Sequence, residues 1–125
     1  LEFRRVLFRS VSISAISTIR SACLSAKASG LRIVRGPFFD WTGGDGKLVA
    51  VDGLGAVLLS MRGVAPSKVA ALCARLDVDG GWLARWCIGW DRDVVLVMHD
   101  DKWREIGRDA VSLAGQTLAR ELVDR

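Results

Sequence analysis

The residues that could support catalysis are few, and they surround one histidine. His99, the only histidine, is followed by Asp100 and Asp101, and Cys87 lies earlier in the chain. A cysteine activated by a histidine is a nucleophile for covalent catalysis, but these two act together only if the fold brings them into contact. A metal site needs more ligands, and the sequence offers no second histidine and no cysteine pair at ligand spacing. A helix cap at Asp100 and an exposed His99 explain the same residues. We therefore predict no catalytic residue, no metal site and no cofactor, and we lean away from an enzyme.

Two glycine clusters invite a search for phosphate-binding loops. The segment 43–47 reads Gly-Gly-Asp-Gly-Lys, but Leu48 stands where a phosphate-binding loop has Ser or Thr for magnesium, and Trp41 replaces the leading glycine. The segment 53–55 reads Gly-Leu-Gly and lacks the third glycine of a dinucleotide fingerprint, because Leu58 stands there. Both clusters are interpreted as turns.

Three of the five tryptophans recur at helical spacing. Trp82, Trp86 and Trp90 follow i, i+4 and i+8, so they share one face of a helix. Such a stripe is more typical of core, or of a lid over core, than of a ligand platform. Any exposed part of it would be a natural protein-contact patch. That hypothesis requires that the three rings are not all buried.

The segment 66–90 has the spacing of a helix-turn-helix. Asp77 occupies the turn position usually given to glycine, and it tolerates the left-handed conformation better than most residues. Small and apolar residues occupy the positions that pack the two helices together: Leu72, Cys73, Leu76, Val78, Leu83 and Trp86. The segment therefore predicts a helix-turn-helix-like pair.

DNA reading also needs side chains that reach bases and phosphates. On the outer face of the second helix only Arg85 suits that task, and Asp79 would repel phosphate. Lys68 and Arg75 on the first helix could contact the DNA backbone. DNA is therefore a disfavoured partner, and Lys68, Arg75 and Arg85 are its candidate contacts.

The first ten residues look foreign to the protein. Residues 1–10 match the in-frame translation of a common sequencing adapter, and the chain does not begin with Met. Such segments are excluded from fold reasoning. We expect a non-native, adapter-derived segment at 1–10 and a single globular domain at 11–125, from a gene assembled from environmental reads.

Composition limits which binding partners and which cellular compartment the sequence supports. Without residues 1–10 the basic residues fall from 18 to 15 and the acidic ones from 14 to 13, so the net charge falls from +4 to +2. A balance this weak is no argument for nucleic acid or an anionic membrane. No apolar run reaches the roughly 18 residues of a membrane span. The three cysteines lie in apolar helical contexts, which favours buried thiols in a reducing compartment. We expect a cytoplasmic protein.

The first half of the chain predicts a helix followed by a small hairpin. Residues 11–29 have apolar side chains at helical spacing, and Gly30 ends them. Residues 31–35 and 47–51 alternate or cluster apolar side chains, as strands do, and glycines lie between them. We predict a two-stranded hairpin over 31–51.

The second half predicts more helix. Asp52 can cap a short helix over 54–61, although a strand continuing from Val51 is an equal alternative. Residues 94–98 are either strand or helix, which periodicity cannot decide. An apolar stripe over 102–123 predicts a final helix capped by Asp100.

From Val51 to Leu122 the order of features resembles a group of small uncharacterised bacterial and phage proteins. They share a Leu-Gly-Ala stretch, here 54–59, and a helix-turn-helix-like pair ending in aromatic-Gly-aromatic-Asp, here 86–91. Their final helix has an early glycine and a basic residue, here 106–108. This chain departs from them where Cys and Pro often precede the Leu-Gly-Ala. The group has no established activity, so the resemblance implies only a similar fold and a phage or mobile-element origin.

Together these features predict a mainly α fold with a minor β component. We expect one compact helical domain with a small two-stranded element and the helix-turn-helix-like pair. The leading hypothesis is a non-enzymatic protein-interaction module that binds an unidentified protein or itself, through Trp82, Trp86 and Trp90. The alternative is a helix-turn-helix DNA-binding protein, and an enzyme is third.

Overall fold

The structure, a computed structural model, describes residues 11–36, 38–40, 46–61, 67–92, 97–99 and 105–124. Within these residues helices dominate, which confirms the mainly α prediction. In chain order the elements are α1 (Ile13–Ala28), β1 (Arg32–Ile33), β2 (Phe39–Asp40), β3 (Ala50–Val51), α2 (Gly53–Ser60), α3 (Lys68–Leu76), α4 (Gly80–Arg92), β4 (Val97–His99), β5 (Glu105–Arg108) and α5 (Ala110–Leu122). Residues 1–10 lie outside the described part, so their assignment to an adapter, like the single domain at 11–125, stays a prediction.

The first sheet differs from the predicted hairpin. Its strand order is β1-β3-β2, with β3 in the middle, parallel to β1 and antiparallel to β2. The predicted strands 31–35 and 47–51 are therefore neighbours, but they run parallel, and the hairpin between them is wrong. The antiparallel partner of β3 is β2, at Phe39 and Asp40, which lie between the two predicted strands. Strands of two residues are paired by their tertiary surroundings, which an alternation pattern does not encode.

Caps and a glycine define the first two helices as predicted. Gly30 has φ +90° and ends α1, where its N–H donates to the carbonyl of Lys27 at 3.0 Å. The side chain of Asp52 accepts from the N–H of Gly55 at 2.6 Å, so Asp52 caps α2. The helical alternative for 54–61 is thus confirmed, with α2 beginning one residue earlier, at Gly53.

Two glycines allow α4 and α5 to pack closely. A Cβ on Gly89 would lie 1.8 Å from the carbonyl oxygen of Ser112, and a Cβ on Gly115 would lie 2.6 Å from that of Trp86. The hydroxyl of Ser112 donates to the carbonyl oxygen of Arg85 at 3.0 Å. The main partner of α4 is therefore α5 rather than α3.

The final helix is shorter than predicted. Residues 105–108 form β5, paired antiparallel with β4 at 97–99, and α5 begins only at Ala110. Asp109 caps α5 by accepting from the N–H groups of Val111 at 2.9 Å and Ser112 at 3.1 Å. The predicted helix 102–123 is therefore wrong over 105–108. The predicted cap at Asp100 lies outside the described residues, and the cap of the observed helix is Asp109. Within 94–98, residues 97 and 98 are strand.

The apolar core joins the N-terminal and C-terminal helices. Its fully buried side chains include Ile19, Ile33, Leu72, Trp86 and Leu118. None of the helices in the described ranges is long and apolar enough to cross a membrane.

Residues near the described C-terminus are tied to β1. The N–H of Ile33 donates to a carboxylate oxygen of Asp124 at 2.7 Å, and the N–H of Asp124 donates to the carbonyl of Ile33 at 2.8 Å. Lys27 on α1 adds an ion pair to the same carboxylate at 3.1 Å. These bonds hold the pKa of Asp124 below its ordinary value, first through the Ile33 N–H and then through Lys27.

Candidate functional site

The three tryptophans of α4 form a stacked ladder. The ring centroids of Trp82 and Trp86 lie 5.4 Å apart at an interplanar angle of 8°, and those of Trp86 and Trp90 lie 6.1 Å apart at 21°. Helical spacing produces this arrangement, because side chains at i and i+4 lie above one another on the same face.

The ladder is interior. Trp82 is 7% exposed, and Trp86 and Trp90 are each 1% exposed. The indole N–H of Trp82 donates to the carbonyl of Val11 at 3.2 Å, and that of Trp90 donates to the carbonyl of Val34 at 3.1 Å. The indole N–H of Trp86 is buried without a hydrogen-bond partner among the described residues. The predicted contact patch at Trp82, Trp86 and Trp90 required exposed rings, and their burial removes it.

Two thiols and two carboxyls are close enough to influence one another beside the ladder. Burial raises the pKa of Cys23 and of Cys87 to about 12, and the charges of nearby carboxylates add to each shift. Burial also raises the pKa of Asp52 to about 7, and Asp91 pushes it further in the same direction. The pKa of Asp91 is raised too, first by burial, although the N–H of Gly36 donates to its carboxylate at 3.1 Å.

This cluster is not suited to nucleophilic chemistry. A thiol with a raised pKa is protonated at neutral pH, and the thiolate is the nucleophile and metal ligand. No group of three or more His, Cys, Asp or Glu in the described part of the chain is arranged to hold a metal ion. The Cys87–His99 pair, which the sequence analysis did not favour, is not tested, because the His99 side chain lies outside what the structure describes.

The helix-turn-helix-like pair has the expected turn. Asp77 ends α3 in the left-handed conformation, with φ 55° and ψ 51°. Asp79 accepts from the N–H of Trp82 at 2.8 Å and so caps α4. The predicted packing residues are confirmed as core or its border: Leu72, Leu76, Leu83 and Trp86 are buried, and Cys73 and Val78 are half-buried against them.

The three predicted DNA contacts lie in different surroundings. Arg85 pairs with the buried carboxylate of Asp109 at 3.4 Å. The ammonium of Lys68 lies 5.8 Å and 5.2 Å from the ring centroids of Phe38 and Phe39. Arg75 lines a groove against α1.

The start of α4 is also acidic. A cavity of about 440 Å³ there is lined in part by Asp77, Asp79, Trp82 and Arg85. Two carboxylates at the start of a recognition helix would oppose DNA phosphates, and the buried face of α4 packs against the core and α5. The chemistry of this surface does not favour DNA.

A groove runs along the exposed side of α1 and is the site that the sequence analysis missed. It consists of two adjoining depressions, of about 320 Å³ and 170 Å³, which share Ala22, Ser25 and Ser60. One end is polar and is lined additionally by Ser17, Thr18, Ser21 and Arg75. The other end is mostly apolar and is lined additionally by Ala26, Ser29, Ala56 and Leu59. We call these eleven residues the serine groove.

Two hydroxyls of the serine groove are used within the protein, since Ser29 donates to the carbonyl of Ser25 at 3.1 Å and Ser60 to that of Val57 at 2.7 Å, but the hydroxyls at its polar end are uncommitted. The hydroxyls of Ser17, Thr18, Ser21 and Ser25 make no hydrogen bond with a described residue, whereas that of Thr117 on α5 donates to its own helix at 2.8 Å. Among the described residues the guanidinium of Arg75 likewise has no ion pair or hydrogen bond. No Asp, Glu, His or Cys lines the groove. It can therefore bind a group that accepts hydrogen bonds, but it offers no acid or base that would activate one of its hydroxyls as a nucleophile.

One sequence signal could have revealed this groove. Ser17, Ser21, Ser25 and Ser29 recur at i+4 and so share one face of α1. Comparisons of this chain with protein-family models, with curated proteins and with solved structures found no match. Function is therefore inferred from the geometry of the serine groove.

Proposed function

We propose that this protein is a non-enzymatic protein-interaction module that binds through the serine groove. The observation that supports it is the polar end of the groove, where a guanidinium and several hydroxyls have no partner among the described residues. Polar groups of this kind are compensated by water in the free protein and by a partner in a complex. The proposal keeps the interaction hypothesis and replaces its surface.

The shape of the groove fits a polypeptide segment. Its floor is built from Ala22, Ala26 and Ala56, so a partner chain can approach the helix backbones closely. Leu59 is 47% exposed at the apolar end, where burial by a partner would remove apolar surface from water. Backbone carbonyls of the same partner can accept from the hydroxyls of α1. An apolar contact next to oriented polar contacts is typical of protein interfaces.

The remaining sequence hypotheses fit this proposal. A non-enzymatic role is supported by the groove's lining, which has no acid or base to activate its hydroxyls, and by the raised pKa values of Cys23 and Cys87. Thiols that stay reduced and buried suit a reducing compartment, so we retain the cytoplasm as the proposed location. The resemblance to small bacterial and phage proteins supports a phage or mobile-element origin as a proposal only.

The test is a peptide-display selection on the full chain, followed by affinity measurements with groove variants. Ser21→Trp places a large ring in the polar end and is expected to abolish binding of the selected peptides. Thr117→Trp makes the same kind of change at an exposed site on α5 that does not line the groove, and it should leave binding intact. Circular dichroism checks that both variants fold. Peptides that bind Ser21→Trp as well as the native chain would refute the groove as the contact surface.

The alternative remains a helix-turn-helix DNA-binding protein. The left-handed Asp77 and the buried packing residues support a helix-turn-helix geometry. Against it stand the acidic start of α4 and the engagement of Arg85 by Asp109. We expect labelled duplex DNA to show no binding at physiological salt. Binding that persists in salt and weakens in Arg85→Ala would instead place DNA first.

A further inference from the structure

We infer that the serine groove accepts a partner segment with an acidic side chain, whose carboxylate binds Arg75 and the neighbouring hydroxyls. The inference rests on the proposed function, since it names the chemistry of the partner at the same surface.

The charge of the serine groove favours an acidic partner. Arg75 is the one charged residue among the described residues that line the groove, and no Asp or Glu lines it. Two other arginines on the helices, Arg20 and Arg85, are instead paired with acids of the protein itself, Glu121 and Asp109. A guanidinium without an internal acid is complementary to a carboxylate from outside, which it can bind through two parallel hydrogen bonds.

The hydroxyls beside Arg75 also favour a carboxylate. Ser17, Thr18 and Ser21 line the same depression as Arg75, and each can donate one hydrogen bond to an acceptor. A carboxylate has several acceptor sites and no donor, so a guanidinium with hydroxyl donors satisfies it without leaving a group unpaired. A basic side chain would bring a second cation to the same place and would find no acid there.

The apolar end makes the occupant a polypeptide rather than a small anion. The second depression shares Ala22, Ser25 and Ser60 with the first, and it adds Ala26, Ala56 and Leu59. An isolated anion would fill only the polar end. A segment with an acidic side chain and an apolar one beside it fills both ends.

The experiment compares display selections on the native chain and on two charge-reversed variants. Peptides selected on the native chain should be enriched in Asp or Glu, and Arg75→Glu should lower their affinity roughly tenfold or more, as expected for loss of a charge-assisted bond. A selection on Arg75→Glu should shift toward Lys and Arg. Lys68→Glu makes an equal change of charge on the same helix outside the groove, so it should retain the acidic preference.

The possible outcomes distinguish the carboxylate inference from the proposal that the groove is the contact surface. Peptides that depend on Ser21 but show no acidic preference, or keep it in Arg75→Glu, overturn the carboxylate inference and leave the groove as a protein-contact surface. Selected peptides that ignore Ser21→Trp overturn both. In a further arm, inorganic phosphate is titrated while the amide signals of α1 are followed by NMR. Saturation by phosphate alone at the affinity of the peptides would overturn the peptide as occupant in favour of a small anion.

Discussion

Replacing Asp52 with Asn should change how stability depends on pH. Asp52 is 3% exposed, and burial raises the pKa of its carboxyl from 3.8 to about 7. The N–H of Gly55 lowers this pKa and the charge of Asp91 raises it, but burial dominates. Cys23 and Cys87 also face this group, and with pKa values of about 12 they stay neutral over the range tested.

The direction and size of this pH dependence follow from the linkage between proton binding and folding. Because the pKa is higher in the folded state, this group's contribution to stability is fully present below the unfolded value of 3.8 and is lost as pH rises through about 7. Each pKa unit corresponds to about 1.4 kcal/mol. With these two pKa values, the free energy of unfolding should fall by roughly 2.5 kcal/mol between pH 5 and pH 8. Asn keeps the cap on α2 and does not titrate, so Asp52→Asn should remove that fall.

Urea denaturation of both proteins at several pH values between 5 and 8 measures this difference. Asp91, whose pKa is also raised, is present in both chains, so the comparison isolates Asp52. We expect Asp52→Asn to be the more stable protein at pH 8 and to approach the native chain at pH 5. Parallel stability curves for the two proteins, or an Asp52 carboxyl signal that titrates near pH 4 by NMR, would show that the reasoning is wrong.

Three further predictions concern the α4–α5 contact, the ladder and the thiols. Gly89→Ala should lower the free energy of unfolding by about 3 kcal/mol, because the new Cβ meets a carbonyl of α5. Gly80 faces open space, so Gly80→Ala should leave the free energy of unfolding unchanged. Equal effects of the two substitutions in urea denaturation would contradict this. Trp86→Phe should lower the free energy of unfolding by about 1 kcal/mol less than Trp90→Phe does, because both rings are buried but only Trp90 loses a hydrogen bond. A larger loss of stability at Trp86 would refute this prediction. At pH 8, Cys23 should react with a thiol reagent only as fast as the chain unfolds, and rapid modification of the folded protein would rule out its burial.

Local signals predicted the helical part of the fold well. Asp52, Gly30 and the turn at Asp77 act within one or two helical turns, so their effects can be inferred from neighbouring residues alone. The apolar spacing of α3 and α4 likewise marked the residues that the core buries.

Non-local pairing was harder to predict. The parallel contact of β1 with β3 joins segments that alternation cannot align, and each strand has only two residues. In the final helix an apolar stripe suggested one continuous element over 102–123. Gly107, which disfavours a helix, and Asp109, a strong N-cap, together marked its true start. Those two signals were local and were outweighed by the stripe.

The site was the least predictable part. The Trp82, Trp86 and Trp90 spacing identified a shared face. Whether that face meets solvent depends on the residues just before α1 and just after β1, where Val11 and Val34 supply carbonyls. The serine groove depends on the position of α3, which places Arg75 beside α1. Sequence spacing within one helix does not contain that information.

The stacked indoles of α4 give the molecule an optical property of its own. With centroids 5.4 Å and 6.1 Å apart, the rings are close enough for their electronic transitions to couple, so we expect the three tryptophans to give a coupled signal in the near-ultraviolet circular dichroism spectrum. The coupling requires the i, i+4 register of an intact helix, because unwinding a single turn between two rings separates them. Above the background of Trp41 and Trp103, that signal should report on the winding of α4 without any attached label.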